Sequence, residues 1–579
     1  MRRTAANVHP GQAKEHGKGN QGSRASGRKG HIDNIAEGGR RFNQIPLHSS
    51  QKHLMRCITN SEPAGRPADV RLFAGPGIAL SLRVGERTIH KFRGKPMSVM
   101  FWPVVIFMAI SLCIGLYTYT QVRGSSKRFT VCGKSMPFLV IGTALVAQAV
   151  DGNATLGNTS LTFSSGVWTG VTIPIGLAAS LFIVGRFLAA PLNRMNLLTL
   201  PEFFFRRYDK TTELLVSILT IVCFTVLIAG NLAAVAWILS TVSGVSYTAA
   251  LIIAAAVIAT YTMAGGLYSA IWTDFFQIHV AIIGFVASAA WVIATRGWHN
   301  LLAAMPPEKL SLAGLTQVDS GALVNWSAMI SLALGNAMAL DFMERVFAAR
   351  SPETARNGCY YAGAWTLVIG ACATILGLAA IPALTSVDDP RMVLPLFGSL
   401  HLPYWMGMMV FVGVLGASMS TANGAMLVIS VVLARNVVQR WSAREYSDSF
   451  MLSLSRLMAI PTACVAAVVA WIRPEPGILL VVAFDIVFAG CVAPLFLGVF
   501  WKKANSAAAI AAIVSGTAVR LLAHFITPAA WAGLDTLAPP LVSGIVFFLA
   551  CQATWKQNPG RPEAITESAG DPFLPEIAQ

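Results

Sequence analysis

Two long apolar segments of this chain are interrupted by polar residues that could bind an ion or a solute. The first interruption, Gln-Ala-Val-Asp-Gly-Asn, contains Asp151 and Asn153, and the second, Gly-Asn-Ala-Met-Ala-Leu-Asp, contains Asn336 and Asp341. Polar groups at mid-membrane depth are costly, so they line a cavity or pair with one another. Glycine beside Asp or Asn also lets a helix unwind and present free carbonyls to a ligand. We therefore expect these four residues to line a solute pocket, with a simple helix kink as the alternative.

A third apolar segment carries adjacent hydroxyl groups at Ser420 and Thr421, shortly after Ala417. A small hard cation takes oxygen ligands, and neutral carbonyls and hydroxyls bind it weakly enough for release in each cycle. Serine and threonine in membrane helices also bond backward to carbonyls or pack at helix interfaces. The residue types alone leave both roles open.

The elements that position these residues are transmembrane helices. About 20 mainly apolar residues cross the hydrocarbon core, and unbroken runs of that length exclude barrel strands. We predict an all-α integral membrane protein of about thirteen spans. Their centres are Ile110, Leu145, Leu177, Val226, Ala255, Ile283, Leu332, Ala371, Leu415, Val465, Val487, Val514 and Ile545.

Composition supports the same class, because 55% hydrophobic residues and 12% charged residues lie outside the range of soluble domains. The net charge of +16 does not indicate a nucleic-acid partner, since residues 1–96 hold 18 Lys and Arg against 6 Asp and Glu. That segment lacks a core-forming pattern, and we expect a disordered basic tail, inert or translated upstream of a native start at Met97. We expect residues 97–555 to form the transporter domain and residues 556–579 a cytoplasmic tail.

Positive charge predicts the orientation, because Lys and Arg of short loops stay on the cytoplasmic side. Alternate loops and helix ends hold 20 of these residues on one side and 5 on the other. The pattern predicts a multi-pass protein of a bacterial-type inner membrane, with its N-terminus outside and its C-terminus inside.

A membrane redox enzyme is the rival function from another class. It would need haem or metal ligands on facing helices. Only four histidines follow residue 96, without a pair at helical spacing, and the nine cysteines show no CxxC spacing. We therefore expect no enzymatic activity and no metal site beyond an alkali cation.

Four segments resemble the sodium:solute symporter family. Residues 261–277, YTMAGGLYSAIWTDFFQ, resemble its GG-x5-WTD-x2-Q signature, and residues 417–421, ASMST, resemble its A-x-x-S-[ST] sodium motif. Residues 200–208 resemble its LPEF-R[FY] loop, and residues 498–503 its GxFWK element. The matches run in family order across residues 98–555.

The resemblance implies a LeuT-type fold of two five-helix inverted repeats with an extra leading helix, working by alternating access. Breaks at the second and seventh predicted helices have the spacing that such repeats require. Carried over by position, the sodium ligands become the carbonyls of Ala147, Val150 and Ala417 with the hydroxyls of Ser420 and Thr421.

Asp274, from the WTD motif, becomes an acidic group on the ion path, or else the partner of a cytoplasmic arginine. One departure concerns the ion site: the family often has a polar residue where this chain has Ala149, and Asp151 lies two positions later.

The function expected from this resemblance is sodium-coupled symport of a small polar organic solute, in the lipid bilayer and without nucleic acid. A proton-coupled urea-type permease is one alternative, because residues 335–350 resemble that branch; a transporter-like nutrient sensor is another. The broken helices have no central arginine to clamp a carboxylate, which favours a neutral or cationic solute, although a helix N-terminus can bind a carboxylate without arginine. The sequence leaves the solute and the oligomeric state open.

Overall fold

A computed structural model describes residues 101–384, 387, 389–442, 444 and 446–556 of the chain. The predicted tails, residues 1–96 and most of 556–579, lie outside this part. The described residues form helices, and their isolated β-bridge pairs Met136 with Ala349. The predicted all-α class is confirmed.

The first half of the described chain contributes eight principal helices. They are α1 (Phe101–Tyr117), α2 (Ser126–Val131), α3 (Phe138–Ala149), α4 (Gly152–Ser165), α5 (Thr172–Ile183), α6 (Leu200–Arg207), α7 (Lys210–Ser243) and α8 (Tyr247–Arg296).

The second half contributes ten more. They are α9 (Ala322–Ile330), α10 (Leu340–Ala348), α11 (Pro352–Ala383), α12 (Val393–Leu400), α13 (Tyr404–Val432), α14 (Asp448–Ile472), α15 (Pro476–Gly490), α16 (Val492–Phe500), α17 (Ser506–Ile526) and α18 (Leu534–Thr554).

Short turns and wider helical segments connect these elements. The short α-helical turns are Tyr119–Val122, Val167–Gly170, Ala189–Arg194, Trp298–Ala303, Pro307–Leu310, Ala313–Thr316 and Arg440–Ser442. The 3₁₀ turns are Cys132–Lys134, Val318–Ser320, Asn336–Met338, Pro390–Met392 and Ala529–Trp531. The π-helical segments are Val184–Leu188, Ser331–Gly335 and Leu433–Gln439.

Several helices begin at a short polar residue whose side chain accepts a hydrogen bond from a first-turn backbone N–H. Such a cap satisfies a donor that has no partner inside the helix. The capping residues of α6, α7, α8, α11, α14 and α17 are Thr199, Asp209, Ser246, Ser351, Ser447 and Asn505.

Within the described residues, nine helices are long and apolar enough to span a membrane, or twelve if three bent pairs each count as one span. All thirteen predicted centres fall inside these segments. Two of them, Ala255 and Ile283, share α8, a 50-residue helix with a break at Gly266. The predicted interruptions are real bends, 48° between α3 and α4 and 45° before α10. A third bend of 51°, between α15 and α16, is not predicted by the sequence.

Helix α13 lies at the centre of the bundle. In its most apolar stretch of 18 residues, 94% of the residues are buried, whereas the corresponding fractions are 22% in α17 and 28% in α18. A helix that is apolar all round belongs in the interior, whereas α17 and α18 expose apolar side chains, as expected of lipid-facing helices. The hydroxyl pair predicted to bind an ion is therefore on the most buried of the nine long spans that the structure describes.

The break at Gly266 depends on glycine. Its φ of +55° lies in the left-handed region, and a Cβ placed there would lie 2.5 Å from the carbonyl oxygen of Phe129. Two residues before the break, the carbonyl of Ala264 accepts a hydrogen bond from Arg456 at 3.1 Å. A side-chain donor thus supports the backbone next to the break, where lipid offers none.

We expect Gly266→Ala to destabilise the protein more than Gly124→Ala. Gly124 also has a positive φ, of +72°, but nothing lies within 4 Å of its Cβ position. Both changes incur roughly 1–2 kcal/mol for the left-handed backbone, while only Gly266→Ala adds an overlap of about 1–3 kcal/mol. Thermal unfolding of the detergent-solubilised variants measures the difference. Equal melting temperatures would show that the contact with Phe129 relaxes freely.

Candidate functional site

Asp151 organises the first break. Helix α3 ends at Ala149, and the Asp151 side chain caps α4 by accepting from the backbone N–H of Ala154 at 2.7 Å. Its other oxygen accepts from the amides of Asn231 at 2.6 Å and Asn153 at 3.0 Å. Three N–H donors and no acceptor are the surroundings of an ionised carboxylate. The break is therefore a charged, buried junction between α4 and α7.

The second break lies between α9 and α10. The helix widens to a π segment, tightens to a 3₁₀ turn and restarts at Leu340. The Asn336 amide donates to the carbonyl of Leu332 at 2.8 Å, so it serves its own helix. The Asp341 carboxylate accepts from the backbone N–H of Phe342 at 2.9 Å. This carboxylate satisfies an N–H at the start of α10, much as Asp151 does for α4.

The four predicted pocket residues are all buried, each at most 1% exposed. Hydrogen bonds join Asp151 to Asn153, but among the described residues they do not join Asn336 to Asp341, or either of these to Asp151 or Asn153. The structure thus places the four at the two breaks without making them one hydrogen-bonded group.

A fully buried ion pair lies beside the breaks. Asp274 of α8 accepts from Arg345 of α10 at 2.6 Å and 3.2 Å, and both side chains have no exposed surface. The second Asp274 oxygen accepts from the hydroxyl of Ser420 on α13. Arg345 also donates to the carbonyl of Asp341 at 2.9 Å. The pair therefore links α8, α10 and α13 through charged hydrogen bonds.

Gln148 extends this network to α3. In the orientation that satisfies both ends of its amide, the oxygen accepts from Arg345 at 2.8 Å and the nitrogen donates to Asp341 at 3.2 Å. The Ser420 hydroxyl lies 2.8 Å from the same amide. The last turn of α3 is thereby connected to the helix of the second break.

The candidate sodium ligands come together only in part. The Thr421 hydroxyl donates to the carbonyl of Ala147 at 3.4 Å, so α13 meets α3 where the predicted ligands require it. Ser420 is instead directed to Asp274. Val150 and Ala417 are buried about one helical turn from Ala147 and Thr421 along their own helices.

Three further residues of the site, Arg345, Gln148 and Asn231, were not among the residues predicted to bind the ion or the solute. Arg345 is one of the 20 positive residues that the charge pattern placed in loops and helix ends of one side, in this case a loop, which is wrong, because Arg345 lies within α10 and is completely buried. Its partner is 71 positions away in the chain. In the sequence, these residues could be noticed only as polar residues within an apolar segment, and this feature does not identify the residue with which each one pairs.

The other signature residues have structural roles around the site. Gln277 donates to Ser111 of the leading helix α1 at 2.9 Å. Arg207 donates to the carbonyls of Gly498 at 2.8 Å and Trp501 at 2.9 Å, so two of the sequence motifs contact each other. These contacts satisfy carbonyls at the end of α16 that have no helical donor.

The two broken spans are also tied together at one end. The N–H of Met136, just before α3, donates to the carbonyl of Ala348 at the end of α10, at 3.1 Å. The carbonyl of Met136 accepts from the N–H of Arg350 at 3.1 Å. Together with Gln148, this bridge connects α3 and α10 at both ends of α3.

We expect Arg345→Met to destabilise the protein by roughly 3–5 kcal/mol, because it leaves Asp274 buried without its counter-charge. The double variant with Asp274→Asn should recover most of the loss. Arg356→Met is the control, since the Arg356 side chain is 46% exposed and its 3.8 Å pair with Glu353 is worth about 0–1 kcal/mol. Thermal unfolding of these variants and of the Asp274→Asn single variant gives the coupling energy of the pair. If Arg345→Met matches the control, the buried pair is not a structural requirement.

Comparison with known proteins places this geometry in a family. The sequence model of the sodium:solute symporter family matches residues 129–516, about two thirds of the chain. The sodium/proline symporter of Staphylococcus aureus strain JH9 is 27% identical over 489 residues, which cover 78% of this chain and 92% of the relative.

Solved structures share the fold. A Na⁺-coupled sialic acid symporter superposes with a TM-score of 0.68 at 17% identity and covers 81% of this chain and 99% of its own. Mhp1, a nucleobase-cation-symport-1 family transporter, superposes with a TM-score of 0.50 at 14% identity, covering 77% of this chain and 98% of its own. With the broken helices and the motifs in place, the chain belongs to the sodium:solute symporter family and is a multi-pass membrane transporter, not an enzyme.

Proposed function

We propose that the protein couples the inward movement of sodium to the uptake of a small polar organic solute by alternating access. The observation that carries this proposal is the contact between the Thr421 hydroxyl and the Ala147 carbonyl at a helix break. It brings neutral oxygens of two helices together, as an alkali cation requires. Membership of the sodium:solute symporter family supports sodium as that cation.

The proposed topology has thirteen spans, with the second and seventh broken as members of inverted five-helix repeats. Helix α8 has 50 residues and would be about 75 Å long if straight, far more than the roughly 30 Å of the hydrocarbon core. Its break at Gly266 divides it into two spans. We also propose residues 97–555 as the transporter domain, with the N-terminus outside, so that the end carrying Met136 and Ala348 faces the cytoplasm.

In the proposed sodium site, the ligands are the carbonyls of Ala147, Val150 and Ala417 with the hydroxyls of Ser420 and Thr421. Ser420 donates its O–H to Asp274, and the lone pairs of the hydroxyl oxygen stay available to a cation. A cation on this oxygen therefore lies one hydrogen bond away from the Asp274 carboxylate. Asp274 is thus placed to receive the ion next, which is the role proposed for it on the ion path.

Charge supports the proposed class of solute. The carboxylates of Asp151, Asp274 and Asp341 outnumber the guanidinium of Arg345 by two charges in this enclosed region. One first-turn N–H of α4 and one of α10 are already taken by Asp151 and Asp341, which disfavours a carboxylate there. A solute with an ammonium group fits better, near the proposed pocket of Asp151, Asn153, Asn336 and Asp341. L-Proline, the solute in the name of the relatives, carries such a group together with a carboxylate, and it is the first candidate with its ammonium directed at these acids and its carboxylate away from them.

We expect Thr421→Ala and Ser420→Ala each to weaken apparent sodium affinity about tenfold to over a hundredfold, as each removes one oxygen ligand worth roughly 1.5–3 kcal/mol. Ser430→Ala is the control, because Ser430 lies on the same helix and only bonds back to Met426. Uptake by proteoliposomes is measured against sodium concentration. Curves that overlay the wild type for both variants would refute the proposed ion site.

We expect proteoliposomes with a sodium gradient to accumulate radiolabelled L-proline, and potassium in place of sodium to abolish accumulation. Urea and acetate should not be accumulated, because neither has an ammonium group to balance the carboxylates. Asp341→Asn should lower L-proline affinity, while Asp319→Asn, on an exposed turn, should not. Rapid urea uptake without sodium would instead favour a urea-type permease.

A further inference from the structure

Glu344 is a buried acid that the proposed transport site does not use. It lies on α10, is 1% exposed, and neither carboxyl oxygen has a hydrogen-bond partner among the described residues. The three other buried acids of this region differ, since Asp151, Asp274 and Asp341 each accept bonds from N–H donors. Those bonds stabilise ionised carboxylates, and Glu344 receives none.

Two cations, one on α10 and one in the turn packed against it, are committed elsewhere. Arg345 donates to Asp274 and to the carbonyl of Asp341. Lys134, in the turn that packs against α10, donates to the carbonyl of Asn193 at 2.6 Å. An ionised Glu344 would thus be a buried charge without a partner, which is among the costliest arrangements in a protein.

The other elements packed against α10 also leave Glu344 without a counter-charge. Cys132 is close enough to interact electrostatically with Glu344, but burial raises the pKa of its thiol, so this group is neutral. Helices α3 and α13 have no Asp, Glu, Lys, Arg or His in their described ranges. The remaining charged groups on packed elements are Lys127, Arg128, Arg194, Glu202, Arg206, Arg207, Glu353 and Arg356.

None of these groups forms an ion pair with Glu344 in the described structure. Arg206 pairs with Glu202, and Arg207 donates to backbone carbonyls. Arg194 and Lys127 are exposed, and Arg128 is half-buried, with a buried Nε that has no hydrogen-bond partner among the described residues and no ion pair to Glu344. The Asn193 amide does not donate to Glu344 either, because it donates to the carbonyls of Val346 at 2.7 Å and Ala349 at 3.0 Å.

We propose that Glu344 is a proton-binding site, protonated in this closed conformation and ionised when the end of the bundle around Met136 and Ala348 opens to water. Glu344 lies about one helical turn from Ala348, whose carbonyl bonds to Met136 at that end. Separation of α10 from α2 and from the Cys132–Lys134 turn would hydrate the carboxyl and favour loss of its proton. The closed conformation therefore binds one proton more than the open one. This inference deepens the proposed function, because the end that opens is the proposed cytoplasmic gate.

Infrared spectroscopy of the purified full-length protein tests the protonation directly. At neutral pH the wild-type minus Glu344→Gln difference should contain the carbonyl band of a protonated carboxyl, shifted by deuterium. Glu353→Gln, which removes an exposed carboxylate, should give a carboxylate band instead. A carboxylate band in the Glu344 difference would overturn the proposal.

Hydrogen exchange of the backbone amides of residues 126–134 tests the coupling to opening. After correction for intrinsic exchange, opening in the wild type should rise up to about tenfold per pH unit, since one proton is released on opening. Glu344→Gln should be insensitive to pH, whereas Glu344→Asp, which still titrates, and Glu353→Gln should follow the wild type. An unchanged pH dependence in Glu344→Gln would overturn the proposal. Neither measurement uses sodium or solute, so failure of sodium-driven uptake would refute the proposed function and leave this site to be judged separately.

Discussion

The ion pair between Asp274 and Arg345 is the interaction on which the arrangement of the site depends. Two charges without exposed surface are stable only if each is paired and further hydrogen-bonded. Ser420, Gln148 and the carbonyl of Asp341 supply those bonds. Because these groups come from four helices, satisfying the pair fixes how α3, α8, α10 and α13 meet.

Each break in a helix creates a second constraint, since lipid offers no hydrogen bonds to the freed backbone groups. Side chains with complementary donors or acceptors supply these hydrogen bonds instead. Carboxylates accept from N–H groups where α4 and α10 begin, and arginines donate to carbonyls near Gly266 and at the end of α16. Charged residues that appear misplaced in apolar segments therefore make it possible to interrupt helices inside a membrane. They also set the local potential that a transported ion encounters.

Much of this fold follows from the sequence, because a span needs only a long apolar run and all thirteen predicted centres lie in helices. The first two breaks were predictable, since glycine stands beside polar residues. The bend between α15 and α16 was not, because Gly490 and Cys491 carry no polar signal; Gly490 instead allows α15 to approach the carbonyl of Ile513.

The hydrogen-bond and ion-pair partners of individual side chains were harder to predict than the positions of the helices. Asp274 was identified as a functional group, with an arginine partner as the alternative to the ion path, and the structure supplies that partner as Arg345. The charge pattern had placed Arg345 in a loop, because it treats every arginine as hydrated. Burial of an arginine is decided by a carboxylate on a distant helix, and single-residue patterns contain no information about such a contact. The same limit explains why Glu344 was not recognised, as its unusual feature is the absence of partners in the described structure.

The charges of the site give a physical reason for coupling under the proposed function. When ionised, the three carboxylates exceed the one guanidinium by two negative charges in this buried region. One monovalent cation cannot balance two charges, whereas sodium and a solute ammonium together can when any carboxylate of the solute lies away from these acids. Each cation lowers the cost of enclosing the other, which is a coupling free energy and acts equally in both directions. A site of this kind closes most readily with both ligands present, so the transport of one depends on the gradient of the other without direct contact between them.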